Sequence, residues 1–222
     1  MAATNLQLTT IDLGDPADPW RAAGFLVHDG PRGAEVRLGS TVLRLTGRGG
    51  RVLAWALEGA SGDLDGLAST TAATVGGASP EHPNGISRID HVVVQSGDVE
   101  RTVEAFSGAG LEVRRERSTT SYGSPMRQVF FWAGDVILEL IGPDKGEPVT
   151  DQATSVFGLA LVADDLDATA EHLGELLSPP KDAVQKRRRI AGLRGAQVGI
   201  TIPIAVMSPH EPIEETTGNA NK

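Results

Sequence analysis

Between residues 86 and 209 the chain repeats one pattern of apolar and polar positions. Ile89-Asp90-His91-Val92-Val93-Val94 is mostly apolar and β-branched and reads as a strand. After it, Val99, Val103 and Phe106 recur at i, i+4 and i+7, one face of a helix that Gly108 and Gly110 end. Leu111 to Glu116, Arg127 to Trp132 and Val136 to Ile141 follow as three strands separated by turn-rich stretches. The order then recurs. Val156 to Val162 is a strand, and Asp165 to Leu173 is a helix with Leu166, Ala170 and Leu173 on one face. Ala183 to Gln185, Arg189 to Arg194 and Ile200 to Met207 are expected as its strands. The pattern predicts an α+β fold built on a βαβββ unit used twice.

Residues 1–59 carry a third set of strands: Leu6 to Leu13, Ala34 to Leu38, Thr41 to Leu45 and Arg51 to Leu57. A short helix around Pro19 to Gly24 follows the first of them. The order β, α, β, β, β reads as a degenerate N-terminal module, with Arg51 to Leu57 as its last strand. Residues 60–85 are rich in Ala, Ser, Thr and Gly without periodicity and read as a linker, although Asp63-Leu64-Asp65 echoes Asp165-Leu166-Asp167. Residues 86–209 form the paired unit. Residues 210–222 are polar and acidic and read as a disordered tail.

Two polar residues interrupt the apolar strands. His91 lies in the first strand of the pair and Glu139 in its fourth, Val136-Ile137-Leu138-Glu139-Leu140-Ile141. A buried carboxylate needs a metal, a charge partner or several hydrogen bonds. Aligning the two units by their helices and last strands puts Gly158 opposite His91 and Ala205 opposite Glu139. Whatever chemistry the pair carries is erased in the second copy.

Composition narrows the setting. The 222 residues include no cysteine, which removes thiol catalysis, disulfides and zinc–thiolate sites. A formal charge of -9 argues against nucleic acid or an anionic membrane surface as partner. No stretch approaches the roughly 18 apolar residues of a membrane span, and Met1 to Gln7 lacks the pattern of a signal peptide. A soluble cytoplasmic protein is expected.

Two βαβββ units with His in the first strand and Glu in the fourth resemble the vicinal oxygen chelate superfamily of glyoxalases, bleomycin-resistance proteins and extradiol dioxygenases. The strand around His91 looks like the family's opening strand. Val136 to Pro143 looks like the strand that carries its first glutamate ligand. The resemblance covers roughly Ile86 to Pro209 and implies an open, cup-shaped barrel with its site on the concave face. It implies His91 and Glu139 as ligands of a divalent metal (Zn, Ni, Mn or Fe), with Glu139 also moving a proton. A metal-dependent lyase or isomerase acting on a small oxygenated metabolite is then expected. The alternative is a metal-free small-molecule binding or drug-resistance protein of the same fold. Gly158 and Ala205 depart from the second unit's ligand positions, so completing a metal shell needs Gln128, Gln185, the N-terminal module, a bidentate substrate or a second copy in a homodimer. Arg127, Gln128, Gln185 and Arg188 are the candidates for binding substrate. Arg127 and Gln128 sit on one strand, while Gln185 and Arg188 flank the basic run Lys186-Arg187-Arg188-Arg189. An arginine there suits a carboxylate or phosphate.

Overall fold

The computed structural model describes residues 6–30, 32–73, 79–120, 125–144 and 152–210. The tail beyond residue 210 lies outside the described residues, as do 121–124 in the turn-rich stretch from Ser118 to Met126.

The larger sheet holds both predicted units. The first is β6 (Ile86–Gln95), α2 (Val99–Gly108), β7 (Val113–Thr119), β8 (Met126–Ala133) and β9 (Val136–Pro143). The second is β10 (Ser155–Ala163), α3 (Leu166–Leu173), β11 (Lys181–Asp182), β12 (Arg189–Leu193) and β13 (Ile204–Met207). Strand order is β11-β12-β13-β10-β6-β9-β8-β7. In each unit the first strand lies parallel to the last, and β6 meets β10 antiparallel at the centre. Each helix starts where the chain turns back over the sheet. The carboxylate of Asp98 accepts from the Arg101 amide, and that of Asp165 from the Asp167 and Ala168 amides.

Two strands differ from the sequence expectation. Ala183 to Gln185 is a turn, closed by the Ala183 amide on the Arg188 carbonyl at 2.9 Å, and the strand is Lys181–Asp182. Ile200 and Ile202 are buried but not in a strand, because Pro203 stops the ladder and β13 starts at Ile204.

The smaller sheet contains β1 (Gln7–Leu13), β2 (His28–Gly30), β3 (Gly33–Leu38), β4 (Thr41–Leu45) and β5 (Val52–Glu58), in the order β2-β3-β4-β1-β5, with α1 (Ala17–Ala22) after β1. The fourth strand of this βαβββ unit is β4, parallel to β1, rather than Arg51 to Leu57. Instead β5 lies antiparallel to β1 on its other side, where β10 lies against β6. Beside β5, Trp55 makes a parallel bridge to Ser69, the relation of β13 to β10. So β5 and residues 68–70 retain the first and last strands of a fourth unit.

The 60–85 segment is tied down at both ends. Asp65 accepts from Arg101 at 2.7 and 3.1 Å and from Thr102 and Thr154. Burial alone would raise its carboxyl, but these bonds hold it below the usual range. His82 accepts the Leu26 amide on Nδ1, which leaves Nε2–H to donate to the Arg37 carbonyl. The two sheets share a core through Trp55, Phe106 and Phe131, whose ring centroids lie 6.2 and 5.4 Å apart in sequence.

Candidate functional site

Strand β7 and the turn joining β11 to β12 belong to opposite ends of the eight-stranded sheet. Yet Arg115 and Arg117 of the one, and Gln185 and Arg188 of the other, line a single cavity of about 360 Å³ floored by His91 and Glu139. The sheet therefore curls into a cup, with residues of both units over the central strands.

A bulge decides what the floor presents. Across β6 and β10, His91 pairs with Ala160 and Ile89 with Leu161, so Asp90 is an extra residue in β6. Strict alternation would put Asp90 and His91 on opposite faces; the bulge brings both into the cup. Asp90 Oδ2 then lies 2.8 Å from His91 Nδ1, and His91 Nε2 lies 3.3 Å from Glu139 Oε2. The contacts continue in both directions. Arg188 meets Asp90 Oδ1 at 2.8 Å, while its Nε donates to the Ser208 carbonyl at 2.9 Å. Gln128 donates to Glu139 Oε1 through its amide nitrogen and accepts Arg117 Nε–H on its amide oxygen at 2.6 Å. Arg188, Asp90, His91, Glu139, Gln128 and Arg117 thus form one continuous chain, anchored at each end by a guanidinium.

Charge in this chain is unevenly held. Burial would raise the Asp90 carboxyl, but hydrogen bonds and charge from His91 and Arg188 outweigh it and keep Asp90 well below the ordinary carboxylate range. Asp90 is therefore a fixed anion that accepts Nδ1–H and orients the ring. With Nδ1–H so used, Nε2 and Glu139 attract one another only with a proton on one of them.

The cup brings Gln128, Gln185 and Arg188 to His91 and Glu139, but not Arg127. Neighbours on a strand face opposite ways, and Arg127 lies on the outer face, paired with Glu100 and, at 2.9 Å, with Glu116. Several lining residues were not singled out in the sequence: Asp90, Arg114, Arg115, Arg117, Phe130 and His210. Trp132 stands 47% exposed on the cup wall. The run Arg114-Arg115-Glu116-Arg117 was the available signal, since it places three arginines within four residues. Arg114 is also a bulge residue, because Val113 pairs with Phe131 and Arg115 with Phe130.

The second unit places its counterparts as the repeat predicts. Val93 pairs with Gly158 and His91 with Ala160, a register symmetric under exchange of His91 for Gly158. Val93 lies beside Glu139 as Ala160 lies beside Ala205. The counterpart of the Asp90 bulge is Phe157. Gly158 has no space for a side chain, since a Cβ there would lie 2.9 Å from the Pro203 carbonyl oxygen.

His91 and Glu139 are close enough to take neighbouring positions on one ion. Among the described residues, no group of three His, Cys, Asp or Glu converges anywhere. Asp90 is committed to the far nitrogen of His91, and the other half of the cup offers no carboxylate or imidazole at Gly158 or Ala205. Two donors do not fit a metal held by the protein, which needs at least three.

Comparison with known proteins agrees with this architecture. Residues 90–176 match the Glyoxalase/Bleomycin resistance protein/Dioxygenase superfamily. A mutant of 4-hydroxymandelate synthase from Streptomyces coelicolor superposes with a TM-score of 0.60 at 14% identity, covering 92% of each chain. A xylose isomerase-like TIM barrel/4-hydroxyphenylpyruvate dioxygenase fusion protein gives 0.57 at 10% identity over 97% of this chain and 50% of its own. Methylmalonyl-CoA epimerase from Mycobacterium tuberculosis aligns at 17% identity over 57% of this chain and 91% of its own, with a TM-score of 0.44. No curated protein matches the chain. At these identities the two larger superpositions speak to fold alone, and they run through the N-terminal sheet as well as the paired unit. Residues 90–176 thus match the Glyoxalase/Bleomycin resistance protein/Dioxygenase superfamily in sequence, and the paired βαβββ units around them have the architecture that the vicinal oxygen chelate resemblance implies.

Proposed function

We propose that the cup binds a small anionic, oxygen-bearing molecule and that His91 and Glu139 exchange a proton with it. In this reading the protein is a glyoxalase-like isomerase or lyase that does not depend on a protein-held metal. The observation that carries it is the chain of hydrogen bonds and charge contacts from Arg188 to Arg117. Asp90 fixes the His91 ring, so Nε2 and Glu139 face the cup as an acid–base pair. Arg115 and the outer nitrogens of Arg117 offer an anionic group the fork geometry that carboxylates prefer. Phe130 and Trp132 supply an apolar wall, with the Arg117 guanidinium 5.6 Å from the Phe130 ring centre.

Phenylpyruvate is a suitable probe: it has a carboxylate, adjacent oxygens, a ring and exchangeable C3 protons. Trp20 and Trp55 are buried, so acrylamide quenching reports mainly on Trp132 and should fall as the cup fills. Arg117→Ala should weaken binding about tenfold, the loss of one charge-assisted bond. Glu139→Gln should leave binding within about twofold and slow C3 deuterium exchange by at least about 10²-fold. Binding with no exchange above the solution rate would favour the second reading, a metal-free binding or resistance protein. The apolar counterparts Gly158 and Ala205 are the observation on its side. Absence of binding would overturn both.

A further inference from the structure

The basic turn between β11 and β12 faces a second cavity of about 750 Å³, which shares Arg188 and His210 with the cup. Four cations follow one another here, and their surroundings divide them. Arg188 is buried on Asp90, and Arg189 is paired with Asp167 at 2.7 Å. Lys186 and Arg187 are exposed and make no ion pair among the described residues. Asp182 is the carboxylate on this cavity's wall, and Ser208 adds a hydroxyl.

The backbone of the turn is held in an unusual form. The Ala183 amide bonds the Arg188 carbonyl and the Arg188 amide bonds the Gln185 carbonyl, at 2.9 and 3.2 Å. Arg187 takes φ 61°, a left-handed conformation that favours glycine. A long side chain kept at such a position is backbone strain, and both Arg187 and its neighbour Lys186 line the cavity. The concentration of charge is also contrary to the chain, whose formal charge is -9. Arg114, Arg115 and Arg117 stand in the adjoining cup, so a positive rim runs from cup to turn.

We infer that Lys186 and Arg187 form a subsite for a phosphate group, and that the natural ligand has two parts. Its oxygen-bearing end lies over His91 and Glu139, and its phosphorylated end reaches across Arg188 to the turn. This rests on the proposed reading of the cup as an anion site. Phosphate is the class favoured because a multiply charged group can use an ammonium and a guanidinium at once, which a single carboxylate does less well. Arg188 itself is excluded as the phosphate ligand because its guanidinium is already engaged by Asp90 and the Ser208 carbonyl.

Inorganic pyrophosphate tests the turn and phenylpyruvate tests the cup, by calorimetry on the full chain. Lys186→Ala/Arg187→Ala should weaken pyrophosphate at least about tenfold and leave phenylpyruvate within about twofold. Arg48→Ala/Arg51→Ala removes the same charge from exposed positions elsewhere and should change neither. The two probes should bind together. Equal losses in the two double variants would overturn the subsite. So would competition between the probes with pyrophosphate lost in Arg117→Ala, which would place all anion binding in the cup. If phenylpyruvate does not bind while pyrophosphate still depends on Lys186 and Arg187, the reading of the cup fails and the phosphate subsite stands.

Discussion

Arg188→Met is expected to lower folding stability by about 3–5 kcal/mol, read from urea midpoints at neutral pH. The Arg188 side chain is 1% exposed and that of Asp90 10%, so removing the cation leaves a buried carboxylate with only His91 as partner. The substitution also frees the Ser208 carbonyl. Most of the loss should return in Arg188→Met/Asp90→Asn, because removing both charges removes the uncompensated one. Acid tests the same contact. Asp90 is held below its unfolded value, so its contribution is present above the unfolded pKa of about 3.9 and lost as pH falls toward the folded one. Asp90→Asn should remove that part of the acid sensitivity. A loss of less than about 1 kcal/mol in Arg188→Met would mean that the chain of contacts is not held from this end.

Gly158→Ala should destabilise the protein by about 1–3 kcal/mol, the range of overpacked sites. The sign is informative, because replacing glycine inside a strand with alanine usually stabilises. Here a Cβ would meet the Pro203 carbonyl oxygen at 2.9 Å, and that oxygen already accepts the Leu159 amide at 3.0 Å. Gly158→His should cost more and should not create a metal site, even combined with Ala205→Glu. The second half of the site is closed by backbone, not merely stripped of side chains. A neutral or stabilising alanine would show that Pro203 yields and that the site could be rebuilt.

The βαβββ repeat was legible because each unit alternates 2- and 3.6-residue periods and both helices open on a capping aspartate, Asp98 or Asp165. The correspondence of His91 with Gly158 and Glu139 with Ala205 was legible for the same reason. What alternation could not show was the bulges. They turn Asp90 beside His91, and Arg114 beside Arg115, onto the cup face, where a plain strand would send one of each pair outward. Arg127 is the reverse case: one residue from Gln128, it faces away. The N-terminal sheet was misread at β5 because strand order in sequence does not reveal which side of β1 a strand joins. The three-residue strand β2 carries no periodic signal at all. Curling of the large sheet, which brings Arg117 and Arg188 from its two ends to one site, is a property of pairing and twist that no local pattern records.

The most direct test is phenylpyruvate binding to protein dialysed against a chelator, compared with protein supplied with Zn²⁺ or Mn²⁺, with metal content measured on the same samples. A cup completed by Arg188, Asp90, His91, Glu139, Gln128 and Arg117 predicts equal binding in all samples and no stoichiometric metal after dialysis. Binding and C3 exchange lost on chelation and restored by one equivalent of metal would contradict it.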